Sequence, residues 1–105
     1  MGNPSDKKEI RIKPEWDFIS SNSKMIMDYF ERETAEHKNA DVVLDMKGVK
    51  LIDSVGIGVV AGFYKECIAD KKGFSIEIAS KDLSRIFKIL NMDKIFEVKL
   101  IEKQE

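Results

Sequence analysis

An aspartate and a serine are adjacent at the start of a predicted helix, a position at which a side chain can be accessible for binding or modification. Residues 51–58 run Leu-Ile-Asp-Ser-Val-Gly-Ile-Gly, and this apolar approach brings Asp53 and Ser54 to the carboxyl end of a predicted strand. Open α/β sheets place their functional sites at this edge. Ser54 is either the N-cap of the helix, accepting a backbone N–H, or an exposed hydroxyl that could carry a phosphate beside the positive helix end.

Few other residues in the chain favour catalysis or metal binding. The single histidine, His37, stands at the end of the first predicted helix, and no nucleophile motif accompanies it. The single cysteine, Cys67, falls on a predicted buried helix stripe and excludes an internal disulfide. One histidine and one cysteine far apart in sequence do not form a zinc site. We therefore predict that the chain is not an enzyme and uses no metal and no cofactor.

Three glycines near the start of the second predicted helix have the composition of a nucleotide-binding loop but not its spacing. Residues 56–62 run Gly-Ile-Gly-Val-Val-Ala-Gly, whereas the G-x-G-x-x-G pattern needs glycine in place of Ala61. A glycine inside a helix costs up to about 1 kcal/mol relative to alanine. Gly58 and Gly62 are one turn apart and would allow a neighbouring element to approach the backbone. A small nucleotide- or ligand-binding module stays open as an alternative.

Length and charge limit the remaining classes. The chain has 105 residues, of which 43% are hydrophobic and 35% charged, with a net charge of −1. This length corresponds to one domain, and balanced charge does not favour direct binding of nucleic acid. The longest apolar run, residues 59–64, is too short for membrane insertion. We expect a cytoplasmic protein that is a monomer or a weak dimer.

Hydrophobic periodicity predicts strands alternating with helices. The expected strands are residues 10–12, 42–46, 74–79 and 95–100, and the expected helices are residues 23–38, 55–70 and 81–90. Ser80 is the predicted cap of the third helix, and Asn91 its left-handed terminating residue. The expected buried stripes include Val55, Ile68 and Leu90.

This order of elements predicts a single α/β domain. Residues 42–79 form a right-handed strand–helix–strand crossover, and the N-terminal pieces add strands in mixed orientation. The expected architecture is a small mixed sheet of four to five strands with about three helices packed against it. The domain spans residues 9–101, with flexible segments at residues 1–8 and 102–105.

The residues around Ser54 also resemble a known family. Residues 53–59, Asp-Ser-Val-Gly-Ile-Gly-Val, resemble the D-S-S-G-L-G-V signature of STAS domains, best known as anti-sigma factor antagonists. Residues 42–49 resemble the preceding strand and loop of that family, and residues 84–96 its closing helix. Pro-Glu-Trp-Asp at residues 14–17 stands where many members have Gly-Glu-Leu-Asp. The resemblance covers about residues 10–100.

The resemblance implies a function as well as a fold. In the family, the serine after the aspartate is the regulatory phosphosite, and it corresponds to Ser54. A protein of this kind binds a kinase-like anti-sigma factor while the serine is unphosphorylated, which frees the sigma factor, and a phosphatase resets the switch. Val55 replaces the second serine of the signature and removes a polar group beside the site.

A partner-binding surface follows from the same residues. It is expected to comprise Asp17, Asp53, Ser54, Val55, Gly56, Ile57 and Gly58, with Asp17 included by resemblance only. Asp53 would set the local charge and orient the loop, and Gly56 and Gly58 would allow close approach of the partner. The alternative within the family is a non-switching scaffold subunit of a stress-signalling or lipid-transport complex.

Overall fold

The computed structural model describes residues 8–102. Four strands alternate with three helices in the order β1 (Glu9–Ile12), α1 (Ser23–Ala35), β2 (Asp41–Met46), α2 (Ser54–Ala69), β3 (Phe74–Ile78), α3 (Lys81–Ile89) and β4 (Glu97–Leu100). Short 3-10 turns, Ser20–Asn22 and Met92–Lys94, precede α1 and β4. The ends predicted to be flexible lie, except for residues 8 and 102, outside the described residues.

The sheet has the strand order β1-β2-β3-β4, and all three pairings are parallel. The α/β class and the number of strands agree with the sequence-based prediction. The expected mixed orientation is wrong for the described strands. A helix connects each pair of neighbouring strands and returns the chain to the end of the sheet at which the previous strand began. The next strand therefore runs parallel to the previous one.

One face of the sheet forms the hydrophobic core with the three helices. Its buried strand side chains include Leu44 and Ile76, and the helices contribute Phe30, Phe63 and Phe87, among others. The rings of Phe30 on α1 and Phe63 on α2 stack with centroids 3.8 Å apart. This contact joins α1 to α2, the helix that begins at Ser54.

The predicted ends of α3 are confirmed, and the ends of other helices differ. The Ser80 hydroxyl oxygen accepts from the Leu83 N–H at 3.2 Å, and Asn91 has φ 58°. The structure ends α1 at Ala35 rather than near residue 38, so the exposed His37 lies beyond the helix.

Three apolar residues that the periodicity places inside are exposed: Val55, Ile68 and Leu90 are 45%, 52% and 46% accessible. Val55 lies in the first turn of α2, before the residues that pack on the sheet. Ile68 follows the buried Cys67 by one residue, which turns it about 100° away from that side chain. Leu90 comes after the last residue of α3.

The opposite face of the sheet carries a charged network. Asp45 is only 2% exposed, and its carboxylate lies 3.2 Å from the Arg11 guanidinium and 3.5 Å from Lys47 Nζ. Glu77, opposite Asp45 in the β2–β3 register, contacts the same two cations at 2.7 Å and 3.3 Å. The two carboxylates are therefore held between two positive charges.

Stability in acid is expected to depend on Glu77. Its hydrogen bonds to Arg11 and then to Lys47 lower the pKa of its carboxyl to about 2. A carboxyl with a lowered pKa contributes stability above its unfolded pKa of about 4.3 and loses it as the pH falls toward the folded value. Glu77→Gln should therefore be less stable than the wild type near pH 7. Between about pH 5 and about pH 2, the stability of Glu77→Gln should fall by less than that of the wild type.

Thermal unfolding followed by circular dichroism at several pH values checks this expectation. Glu97→Gln, an exposed position on β4, is the matched control and should keep the wild-type pH dependence. Parallel curves for Glu77→Gln and the wild type would contradict the role of the network.

Cys67 is buried, as predicted, with 2% exposure. Burial raises the pKa of its thiol to about 11, and the thiolate is the reactive form. We expect iodoacetamide to alkylate Cys67 very slowly in the folded protein and rapidly in urea, as read by intact-mass spectrometry. Equal alkylation rates in the two conditions would contradict the buried position.

The described helices include none with enough length and apolar character to cross a bilayer.

Candidate functional site

The N-terminus of α2 is capped by Asp53. One carboxylate oxygen accepts from the Gly56 N–H at 2.8 Å, and the other accepts from the Ser20 N–H at 2.8 Å. These two amides lower the pKa of the Asp53 carboxyl. The sequence-based reading of Ser54 as the N-cap is therefore wrong, and Asp53 both caps α2 and joins it to the turn before α1.

Ser54 is the first residue of α2 and is exposed. Its hydroxyl makes no hydrogen bond to any residue between 8 and 102. Two exposed apolar side chains accompany it in sequence, Leu51 with 60% and Val55 with 45% accessibility. Ser54 thus lies in an exposed segment that includes apolar side chains.

Gly56 is buried against the backbone of Phe18. A Cβ at Gly56 would lie 1.8 Å from the Phe18 carbonyl oxygen. That carbonyl accepts from the Asp53 N–H at 3.0 Å, and the Phe18 N–H donates to the Leu51 carbonyl at 2.9 Å. The close approach expected of Gly56 is therefore made within the fold, and this corrects its assignment to the partner-binding surface.

Asp17 shapes the loop that leads to the site. Its Oδ1 accepts from the Lys50 N–H at 2.9 Å and from the Leu51 N–H at 3.2 Å. The Asn22 side chain donates to the Asp17 carbonyl at 3.0 Å. Asp17 is half-buried, and its contacts support residues 50–51, which precede Ser54 in the chain. This acceptor role was not predicted from the sequence, where Asp17 was included by resemblance only.

The sequence of this chain matches a known family. The model of the STAS domain family matches residues 6–104, nearly the whole chain. The chain belongs to the STAS domain family.

Solved structures share the fold of this STAS domain. The crystal structure of TM1081 from Thermotoga maritima, a proposed anti-sigma factor antagonist, has a TM-score of 0.77 and 17% identity, and the match covers 90% of this chain and 84% of that one. The NMR structure of TM1081 has a TM-score of 0.71 and 18% identity, covering 86% and 72%. At this level of identity, the similarity shows the common fold.

The remaining residues of the expected partner-binding surface, Ile57 and Gly58, lie in α2. Ile57 is half-buried and Gly58 is exposed. Gly58 and Gly62 are both inside α2, so their amides are part of a helix rather than of a phosphate-binding loop. These glycines therefore do not form the loop that a nucleotide-binding module needs.

A groove between α1 and α2 begins next to the site and was not predicted from the sequence. We call it the α1–α2 groove; its volume is about 260 Å³, and its lining includes Met27, Glu31, Val55, Gly58, Gly62 and Glu66. No local sequence signal marks it, because its two walls come from helices that are separate in the chain.

Proposed function

We propose that this STAS domain is a non-enzymatic binding protein switched by phosphorylation of Ser54. It binds a kinase-like anti-sigma factor while Ser54 is unmodified, the partner phosphorylates the serine, and a phosphatase restores the binding form. The observation that carries the proposal is the exposed Ser54 hydroxyl in the first turn of α2, which has no hydrogen bond to residues 8–102 to give up. The family membership supports it.

The surface around Ser54 explains how a phosphate would act. Leu51 and Val55 expose apolar area that a partner can cover while the serine is neutral. A phosphate adds about 1.5–2 negative charges near pH 7, and a partner covering it must desolvate that charge. The Gly56 amide already donates to Asp53, so the helix end offers the phosphate only part of its donors, and the charged Asp53 repels it.

The other parts of the proposal follow from the same family. The protein acts in the cytoplasm, in the regulation of transcription, as a monomer or a weak dimer. Its partners are the kinase-like anti-sigma factor and a phosphatase, and it contacts neither nucleic acid nor the membrane interior.

Phosphorylation of the purified protein tests the proposal. Each histidine-kinase-like ATPase of the source organism is incubated with the chain and ATP, and the modified residue is located by mass spectrometry. We expect one kinase to place a single phosphate on Ser54 and none on Ser54→Ala. Ser21→Ala, a change at an exposed serine in the preceding 3-10 turn, is the control and should be phosphorylated normally. Absence of phosphate on Ser54 with every kinase would overturn the switch and leave the scaffold function in its place.

A further inference from the structure

The α1–α2 groove has apolar walls that the fold leaves uncovered. Val59 and Phe63 of α2 are buried beneath it, while Met27 of α1 and Val55 of α2 line it with 42% and 45% of their surfaces exposed. Its volume of about 260 Å³ is below the roughly 300–1,000 Å³ of pockets that enclose drug-sized ligands. The groove is thus suited to one or two side chains of a protein rather than to a small-molecule cofactor.

The glycines that line the groove have no internal packing function. A Cβ at Gly58 or at Gly62 would meet nothing within 4 Å, in contrast to Gly56. Each glycine nonetheless weakens the helix by up to about 1 kcal/mol relative to alanine. What these glycines provide is an open strip of helix backbone that another chain can approach closely.

The groove also carries negative charge on both of its walls. Glu31 of α1 and Glu66 of α2 both line it, and neither makes an ion pair within residues 8–102. Burial, and next the charge of Glu31, raise the pKa of Glu66, which agrees with two carboxylates facing one groove. A positive side chain placed between them would relieve this repulsion.

We propose that the α1–α2 groove docks a helix of a partner protein that carries an aliphatic residue and, one turn away, a lysine or arginine. The aliphatic side chain fills the space above Gly58 and Gly62, and the cation pairs with Glu31 and Glu66. Helices that bind in grooves place apolar anchor residues, spaced one turn apart, into a hydrophobic cleft. The inference rests on the proposed function, because Val55 continues the groove to Ser54 and one partner would cover both.

A helical peptide tests the groove without the kinase. The ¹⁵N-labelled full chain is titrated with a capped, alanine-based helical peptide that contains one leucine and, one turn further on, one lysine. The control peptide has glutamate in place of the lysine. We expect the amide signals of Gly58 and Gly62 to shift with the lysine peptide and the glutamate peptide to bind at least about tenfold more weakly. The double variant Glu31→Gln/Glu66→Gln should remove this difference.

A matched pair of variants separates filling of the groove from a general effect on α2. Gly62→Leu places a side chain in the groove and should abolish peptide binding. Ala69→Leu adds a comparable side chain at the exposed end of the same helix and should leave binding intact. The proposal would be overturned if the two peptides bound equally, or if millimolar peptide caused no shifts. It would also be overturned if the same shifts appeared when the chain alone was concentrated, because a second copy of the chain would then be the occupant.

The proposed function and this inference can fail separately. If Ser54→Asp weakens binding to the kinase-like partner and Gly62→Leu does not, the switch holds and the groove is not used. If no kinase modifies Ser54 while the lysine peptide binds as expected, the switch fails and the groove remains a docking site.

Discussion

Gly56→Ala is expected to destabilise the domain by about 3 kcal/mol, a large part of the roughly 5–15 kcal/mol that stabilises a typical domain. The new Cβ would lie 1.8 Å from the Phe18 carbonyl oxygen, a distance that a side-chain rotation cannot relieve because the oxygen belongs to the backbone and the Cβ position is fixed by it. Moving the carbonyl away would disturb its hydrogen bond from the Asp53 N–H. The substitution therefore acts on packing and on the cap of α2 together.

Gly58→Ala is the control for this experiment, since it makes the same chemical change two residues later in the same helix. Its Cβ meets nothing within 4 Å, so the gain in helix propensity should stabilise the domain by about 0.5–1 kcal/mol. Urea unfolding followed by circular dichroism measures both changes. Similar midpoints for the two variants would show that the contact between Gly56 and Phe18 does not constrain the fold.

Ser54→Asp is expected to weaken binding to the kinase-like partner by about 30- to 1,000-fold, which corresponds to about 2–4 kcal/mol. The fold should be kept, because Ser54 is exposed and a negative charge in the first turn of a helix is favourable. The proximity of Asp53 works against this gain. At the interface, however, the new charge must be desolvated among the apolar side chains of Leu51 and Val55, which makes binding much more sensitive than folding.

Two further variants separate charge from size at this position. Ser54→Asn adds nearly the same volume without charge and should bind more tightly than Ser54→Asp, whereas Ser54→Ala should bind constitutively and resist phosphorylation. Isothermal titration against the kinase-like partner measures affinity, and circular dichroism reports folding. Equal affinities for Ser54→Asp and Ser54→Asn would contradict an electrostatic switch.

The three glycines of α2 have different structural roles, although the sequence shows no difference between them. Gly56 is required by an internal contact, and its loss should reduce stability. Gly58 and Gly62 face open space, so their retention costs stability and leaves the α1–α2 groove accessible. Measured stability and partner binding should therefore change in opposite directions for substitutions at Gly58 and Gly62.

Much of the fold could be predicted from local patterns in the sequence. Some features depend only on residues within a few positions of one another, so they can be predicted without the structure. They are the alternation of apolar residues in the strands, the cap at Ser80 and the left-handed conformation of Asn91. The burial of Cys67 follows in the same way from helical periodicity. The exposed start of α2 at Ser54 could be placed within one residue, and the signature at residues 53–59 indicated the family.

The sequence by itself determined the α/β class, the position of α2 and the identity of Ser54 as the candidate modification site. Only the tertiary structure decided that Asp53, which caps α2 through the nearby Gly56 N–H, also accepts from the Ser20 amide 33 residues away. Parallel pairing, the burial of Gly56 under Phe18 and the groove between α1 and α2 were decided in the same way. Each depends on segments that are distant in the chain and meet only when the helices pack on the sheet.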